Sequence, residues 1–198
     1  MIKFWWISQH HAFWRGYEVG SNNDMNIVAQ FDLAGTKGTQ RFYITKDGGY
    51  EKDNVENLGE TNCGDPKVLT DFLKWGIITY PAEHYAAILW NHESAWKEDD
   101  VYEKEKTNPL SKRISRGSKT KKSFFTVRPE KFIQRPTIRG ILYDDESRGF
   151  IDEVEIKKVL TKAAKLIPNK RFDLIGFDGC FINSIELSYQ LKDISTQI

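Results

Sequence analysis

The sequence predicts an α/β sandwich: a mainly parallel sheet with helices on both faces, in a single domain covering residues 1–198. Three observations lead there. Short apolar runs of strand length alternate with segments of helical periodicity, the order that βαβ units impose. Residues 85–90 (YAAILW) are apolar throughout, as a strand covered on both faces of a parallel sheet must be. Residues 171–191 (RFDLIGFDGCFINSIELSYQL) change from strand to helical spacing across a turn at Asp178 and Gly179. A chain of 198 residues is long enough for one domain with a sizeable core.

Along the chain, residues 1–20 are aromatic-rich without a clean period, and no element is assigned to them. Gly20, Ser21, Asn22 and Asn23 mark a turn, and residues 25–31 (MNIVAQF) follow as a buried strand ending at Asp32. Gly35 to Gly38 is loop. Residues 41–45 (RFYIT) form a second strand, turned by Asp47, Gly48 and Gly49. Asp65 and Pro66 open a helix, since aspartate caps exposed N–H groups and proline tolerates the first helical position. Its apolar face is Val68, Leu69, Phe72, Leu73 and Gly76, and Pro81 blocks its continuation.

Beyond the 85–90 strand, residues 97–136 are polar and irregular, a loop of functional length. It is acidic at 98–100 (EDD) and basic at 112–122 (KRISRGSKTKK). Residues 138–143 give another strand. Asp152 with Glu155 three positions on is a capping box, opening a helix whose buried stripe is Ile156, Val159, Leu160, Ala163 and Ile167. Pro168 and Asn169 end it, and the chain enters the strand at residues 172–177. In the helix expected after Gly179, Ile182, Ile185 and Tyr189 recur at helical spacing, flanked by Leu187 and Leu191.

Composition removes several function classes. With 29 basic and 28 acidic residues, no global field favours nucleic acid or an anionic membrane. The adjoining acidic segment and the lack of a regular aromatic-basic face also argue against nucleic acid at the basic loop. Cys63 and Cys180 make neither a disulfide framework nor a metal cluster, and the four histidines show no zinc spacing. His10, His11 and Arg15 interrupt the apolar N-terminus before a signal-peptide core or a membrane span develops. The chain as given therefore carries no export signal, and an extracellular or cell-envelope location would require further sequence upstream. Oligomeric state is not legible.

Two strand ends carry the chemistry. His92 follows the 85–90 strand and Cys180 follows the 172–177 strand. In an open parallel sheet ligands gather beyond the carboxyl ends of the strands, so neighbouring strands would deliver both side chains to one edge. There a thiol and an imidazole suffice for nucleophilic acyl transfer. A cysteine at a strand-to-helix turn also gains thiolate character from exposed N–H groups. Each residue has a plainer role open to it, a small hydrophobe closing a turn for Cys180 and a backbone-bonded loop side chain for His92. His10, His11, His84 and Cys63 lack a matching strand-end partner and are weaker candidates.

Residues 58–96 (LGETNCGDPKVLTDFLKWGIITYPAEHYAAILWNHESAW), together with ILYDDESRGFIDEVEIKKVL and LIGFDGCFINSIE, resemble the clostripain family of cysteine peptidases, in the same broad group as caspases. The likeness runs in order from about Val19 to Asp193, and its most specific parts are the Asn91–His92 pair and the turn Phe177-Asp178-Gly179-Cys180. The resemblance implies a caspase-like sandwich and hydrolysis of polypeptides after basic residues, arginine above all and lysine next. It makes His92 the catalytic histidine and Cys180 the nucleophile. Some members are processed by self-cleavage, which the basic loop at 112–122 would suit, and some are assisted by calcium. No metal ligand is assigned.

The residues accommodate that specificity. Asp178 projects from the strand end beside the nucleophile, where an acidic wall would receive a guanidinium, although aspartate is also a common turn cap. Backbone N–H groups at Glu93 and Cys180 suit an oxyanion. Three departures stand against the family pattern. Glu93 and Ala95 occupy positions where glycine is expected, which narrows the approach of a substrate backbone. Phe181 and Ile182 replace leucine and methionine, a tolerable change of packing. The first strand of such peptidases is expected to be missing, or replaced by MIKFWWISQHHAF, and the chain stops soon after Cys180, so the sandwich is expected to be incomplete at both ends. The alternative is a catalytically inactive caspase-like fold acting as a peptide- or protein-binding module.

Overall fold

A computed structural model of the chain describes residues 2–7, 18–33, 38–90, 140–144, 147, 149–178 and 185–198. In chain order the elements are β1 (Ile2–Ile7), β2 (Asn26–Leu33), β3 (Gly38–Tyr43), α1 (Tyr50–Asp53), β4 (Asn54–Gly59), α2 (Pro66–Thr79) and β5 (Tyr85–Trp90). After residues 91–139, which lie outside the described residues, come β6 (Gly140–Asp144), β7 (Gly149–Asp152), α3 (Glu153–Ala164), β8 (Phe172–Asp178), α4 (Ile185–Leu191) and β9 (Ser195–Gln197). The loop expected at 97–136, with its basic stretch 112–122, falls in that interval.

Seven strands make one sheet in the order β4-β3-β2-β1-β5-β8-β9. β1 pairs parallel with both β2 and β5, β5 with β8, and β8 with β9, whereas β2–β3 and β3–β4 are antiparallel. The sheet is therefore mainly parallel. Alternation along the strands divides the core. On one side Val28, Tyr85, Ala87 and Leu89 pack with Leu69, Phe72 and Leu73 of α2 and Ile156, Val159 and Leu160 of α3. On the other, Ile27, Ala29, Phe31, Phe42 and Ile44 cluster, with Tyr50 of α1 and Trp90 against them.

The local signals for the two long helices hold. Asp65 caps α2, its carboxylate accepting from Lys67 N at 2.8 Å, with Pro66 in the first position. Asp152 and Glu155 close a reciprocal capping box on α3, at 2.8 and 3.1 Å. Each bond satisfies a helix-start group that would otherwise have no partner.

Four findings correct or extend the sequence reading. Residues 2–7, which show no clean period, form β1 in mid-sheet, so of the two alternatives for the first strand, missing or replaced by the MIKFWWISQHHAF segment, it is the replacement that holds. β4 (NVENLG) is an added edge strand. β6 does not join the sheet; it pairs antiparallel with β7 as a separate hairpin. In α4 Leu187 and Leu191, one helical turn apart, are buried, while Tyr189 is 69% exposed and lies under the Lys192 ammonium at 4.2 Å; Ile182 and the side chain of Ile185 lie outside the described residues. Among the described residues no helix is long and apolar enough to cross a membrane.

Candidate active site

The edge of the sheet where the parallel strands end is built by β5 and β8 lying side by side. Their register pairs Leu89 with Phe177 and Trp90 with Asp178. His92 therefore follows Trp90 by two positions along the chain, and Cys180 follows Asp178 by the same two. The condition set by the sequence, that the strands leading to these residues be parallel neighbours, is met. His92, Glu93 and Cys180 themselves lie outside the described residues. Asp178 is described: it is exposed, closes β8, and as the registered partner of Trp90 shares its face of the sheet.

The competing candidates separate clearly. Cys63 is 5% exposed, its Sγ 3.8 Å from Thr39 Oγ1 and 3.9 Å from Thr61 Oγ1. Burial, reinforced by the negative charge of Asp32, pushes its thiol far up, so it stays protonated and unreactive. His84 stands at the opposite edge, just before β5 begins. Its Nδ1 lies 2.9 Å from Asp173 Oδ1, and Asp173 Oδ2 accepts from Tyr85 N at 2.8 Å. A six-residue strand spans about 20 Å, so His84 is remote from anything beyond Trp90. His10 and His11 are outside the described residues.

The sequence reading missed one group. Asp32 at the end of β2, Glu60 after β4 and Asp144 at the end of β6 each place a carboxylate oxygen within 4.8 Å of the others. Their sequence separations carry no spacing signal, and only the fold assembles them. Calcium was the one metal the resemblance implied, and it takes six to eight oxygens. The trio offers three carboxylates, and both oxygens of Asp144 also accept backbone N–H groups, from Cys63 at 2.9 Å and Ser147 at 2.9 Å.

With this geometry in place, the likeness to solved structures is specific to one fold. The chain matches a secreted C11 cysteine protease from Bacteroides thetaiotaomicron bound to an irreversible peptide inhibitor, with a TM-score of 0.58 at 16% identity over 98% of this chain and 46% of that one. A second structure from Bacteroides thetaiotaomicron, iotapain, gives 0.59 at 15% identity, covering 98% of this chain and 49% of the other. An inactive zymogen C11 protease from Parabacteroides distasonis gives 0.51 at 16%, covering 98% and 45%. The architecture is thus that of caspase-like cysteine proteases. The clostripain family model matches residues 16–109 and 128–198, and the chain belongs to that family. It is 25% identical to clostripain of Hathewaya histolytica over 133 residues, 67% of this chain and 19% of clostripain. The chain thus spans just under half of the solved proteins and about a fifth of clostripain, and in that sense its sandwich is incomplete beside theirs.

Proposed function

We propose that the chain is the dyad-bearing part of a cysteine endopeptidase that hydrolyses polypeptides after basic residues, with Cys180 as nucleophile and His92 as general acid and base. The observation that carries this is the parallel register of β5 and β8, whose paired ends Trp90 and Asp178 each stand two positions before one member of the pair. The behaviour of the second cysteine supports it, since Cys63 is buried and held as a neutral thiol.

In the proposed reaction the Cys180 thiolate attacks the carbonyl of the scissile bond. The oxyanion is met by backbone N–H groups at Glu93 and Cys180, a role that needs geometry rather than particular side chains. His92 protonates the departing amine, and a thioester remains. Water deprotonated by His92 then releases the acid and restores the thiol. Asp178 receives the guanidinium or ammonium of the preceding residue through a charge-assisted bond. In this reading residues 1–198 make one partial peptidase domain, from which 97–136 is an excursion, and its partners are polypeptides with exposed basic residues.

The test is turnover of an arginyl reporter by the wild type and by Cys180→Ala. Turnover lost in the variant supports the peptidase. A wild type that is inert yet retains basic peptides supports the second reading, a binding module, which Glu93 and Ala95 favour by standing where glycine would leave room for substrate backbone.

A further inference from the structure

The near-balance of the whole chain, 29 basic against 28 acidic residues, hides a local excess. Residues 157–171 (KKVLTKAAKLIPNKR) hold six cations and no carboxylate. The fold turns that run outward. α3 buries Ile156, Val159, Leu160 and Ala163, which leaves Lys157, Lys158, Lys162 and the C-cap Lys165 exposed within an arc of about 140° on the opposite side. The turn that follows keeps the series on the surface. Its backbone is tied by Lys170 N donating to the Ile167 carbonyl at 2.9 Å, and Lys170 and Arg171 are both exposed.

This charge has no local answer. Among the described residues, Lys157, Lys158, Lys162, Lys165 and Lys170 make no ion pair. The flanking carboxylates are engaged elsewhere, Glu155 in the capping box with Asp152, and Asp173 with His84 and the Tyr85 amide. Arg171 brings in a seventh cation: its Nη2 donates to the carbonyls of Ser195 at 2.6 Å and Lys192 at 3.3 Å, which sets Lys192 beside the turn. Lys192 in turn stands over the exposed Tyr189 ring. Asp193 follows Lys192 in the chain and offsets at most one of these charges. Leu166, 46% exposed, lies between Lys165 and the cations of the turn.

The chemistry of the patch selects one class of partner. Nucleic acid is read by arginine forks and stacking aromatics, whereas the one guanidinium here is turned to backbone carbonyls. Lysine ammoniums are point charges that need no fixed geometry. They suit the diffuse negative potential of a lipid surface, and an apolar side chain among them gains by entering the headgroup layer. We propose that the outer face of α3 and its turn into β8 is a docking surface for an anionic phospholipid bilayer, with Leu166 inserted and the lysines over the headgroups. The turn feeds the start of β8, about 20 Å from the end that Asp178 closes, so docking through it leaves that end away from the lipid. The proposal does not rest on the peptidase reading.

Co-sedimentation of the whole chain with phosphatidylcholine vesicles, with and without phosphatidylserine, tests this. The chain should bind only the vesicles that contain phosphatidylserine and should be released in about 0.5 M salt. Each lysine removed should cost about fivefold in partition, so Lys162→Gln with Lys165→Gln should lower it by about 25-fold. Leu166→Ser should lower it by about fivefold. Lys46→Gln with Lys52→Gln removes the same charge from exposed positions elsewhere and should leave partition unchanged. All five positions are exposed, and circular dichroism should show the fold retained. No binding to the anionic vesicles, equal binding to the neutral ones, an unchanged partition in the Lys162 and Lys165 variant or in Leu166→Ser, or an equal loss in the Lys46 and Lys52 variant would overturn the proposal. So would complete release by single-stranded DNA at matched phosphate, because the patch would then prefer a nucleic acid.

Discussion

The two edges of the central sheet handle charge in opposite ways. At the edge where β5 and β8 begin, one carboxylate meets complementary donors. Burial pushes the Asp173 carboxyl up, but hydrogen bonds from His84 and the Tyr85 backbone outweigh it and hold it below the ordinary value. At the edge where the parallel strands end, burial and like charges together lift Asp32 to about 6, and Asp178 stands exposed at the tip of β8. The first edge is settled electrostatics that holds strands in place. The second gathers carboxyl groups at the edge where an open parallel sheet collects its ligands.

Substitutions at each edge sharpen that contrast. The largest effect belongs to the proposed dyad: Cys180→Ala or His92→Ala should reduce arginyl-reporter turnover by about a thousandfold or more. His84→Gln, at the settled edge, should leave kcat/KM unchanged, and an equal loss there would break the comparison. Next is Asp144→Ala, which leaves the Cys63 and Ser147 N–H groups without their acceptor and should cost about 2 to 3 kcal/mol in chemical denaturation. Asp178→Asn should lower kcat/KM for arginyl substrates by roughly 10- to 100-fold, with little change for an uncharged side chain at that position.

The two aspartates at opposite edges should then move stability in opposite directions. Asp32→Asn should stabilise the protein at neutral pH by about 1 kcal/mol, well short of the full shift because the group is only half-buried. Asp173→Asn should destabilise it by less than about 1 kcal/mol, since His84 and Asp173 are 57% and 43% exposed. The pH profiles separate them further. Asp173, lowered in the folded state, contributes above its ordinary value of 3.8 and loses that contribution as pH falls below it. For Asp32 the loss comes on raising pH between 3.8 and about 6. Thermal denaturation across pH 3 to 8 reads both, and slopes of the same sign would contradict the account.

What the sequence made legible follows from where its signals are local. YAAILW became β5 at the expected boundaries, and the Asp65 and Asp152 caps were readable because each acts within three residues. β1 was not, because its apolar IKFWWI run leads into a polar, histidine-bearing stretch and its partners are β2 and β5. β4 escaped because an edge strand needs few apolar residues, and NVENLG has two. The β6–β7 pairing was not legible because the sequence between the two strands, DESR, lacks the glycine or asparagine that announces a tight hairpin. In α4 Tyr189 fits a helical period as well as Leu187 does, and periodicity alone could not tell the buried stripe from the exposed one. Of the site, the strand pair behind His92 and Cys180 was legible from the order of elements and their ends. The Asp32, Glu60 and Asp144 group was not, since its members meet only through strand pairing and a hairpin.

The central proposal, that the ends of β5 and β8 bring an imidazole to one particular thiol, is tested most directly by mapping where an arginyl chloromethylketone alkylates the folded chain. Mass spectrometry should find the adduct on Cys180, with Cys63 unmodified, and its rate of formation should collapse in His92→Ala. An adduct on Cys63, or none on either cysteine, would contradict it.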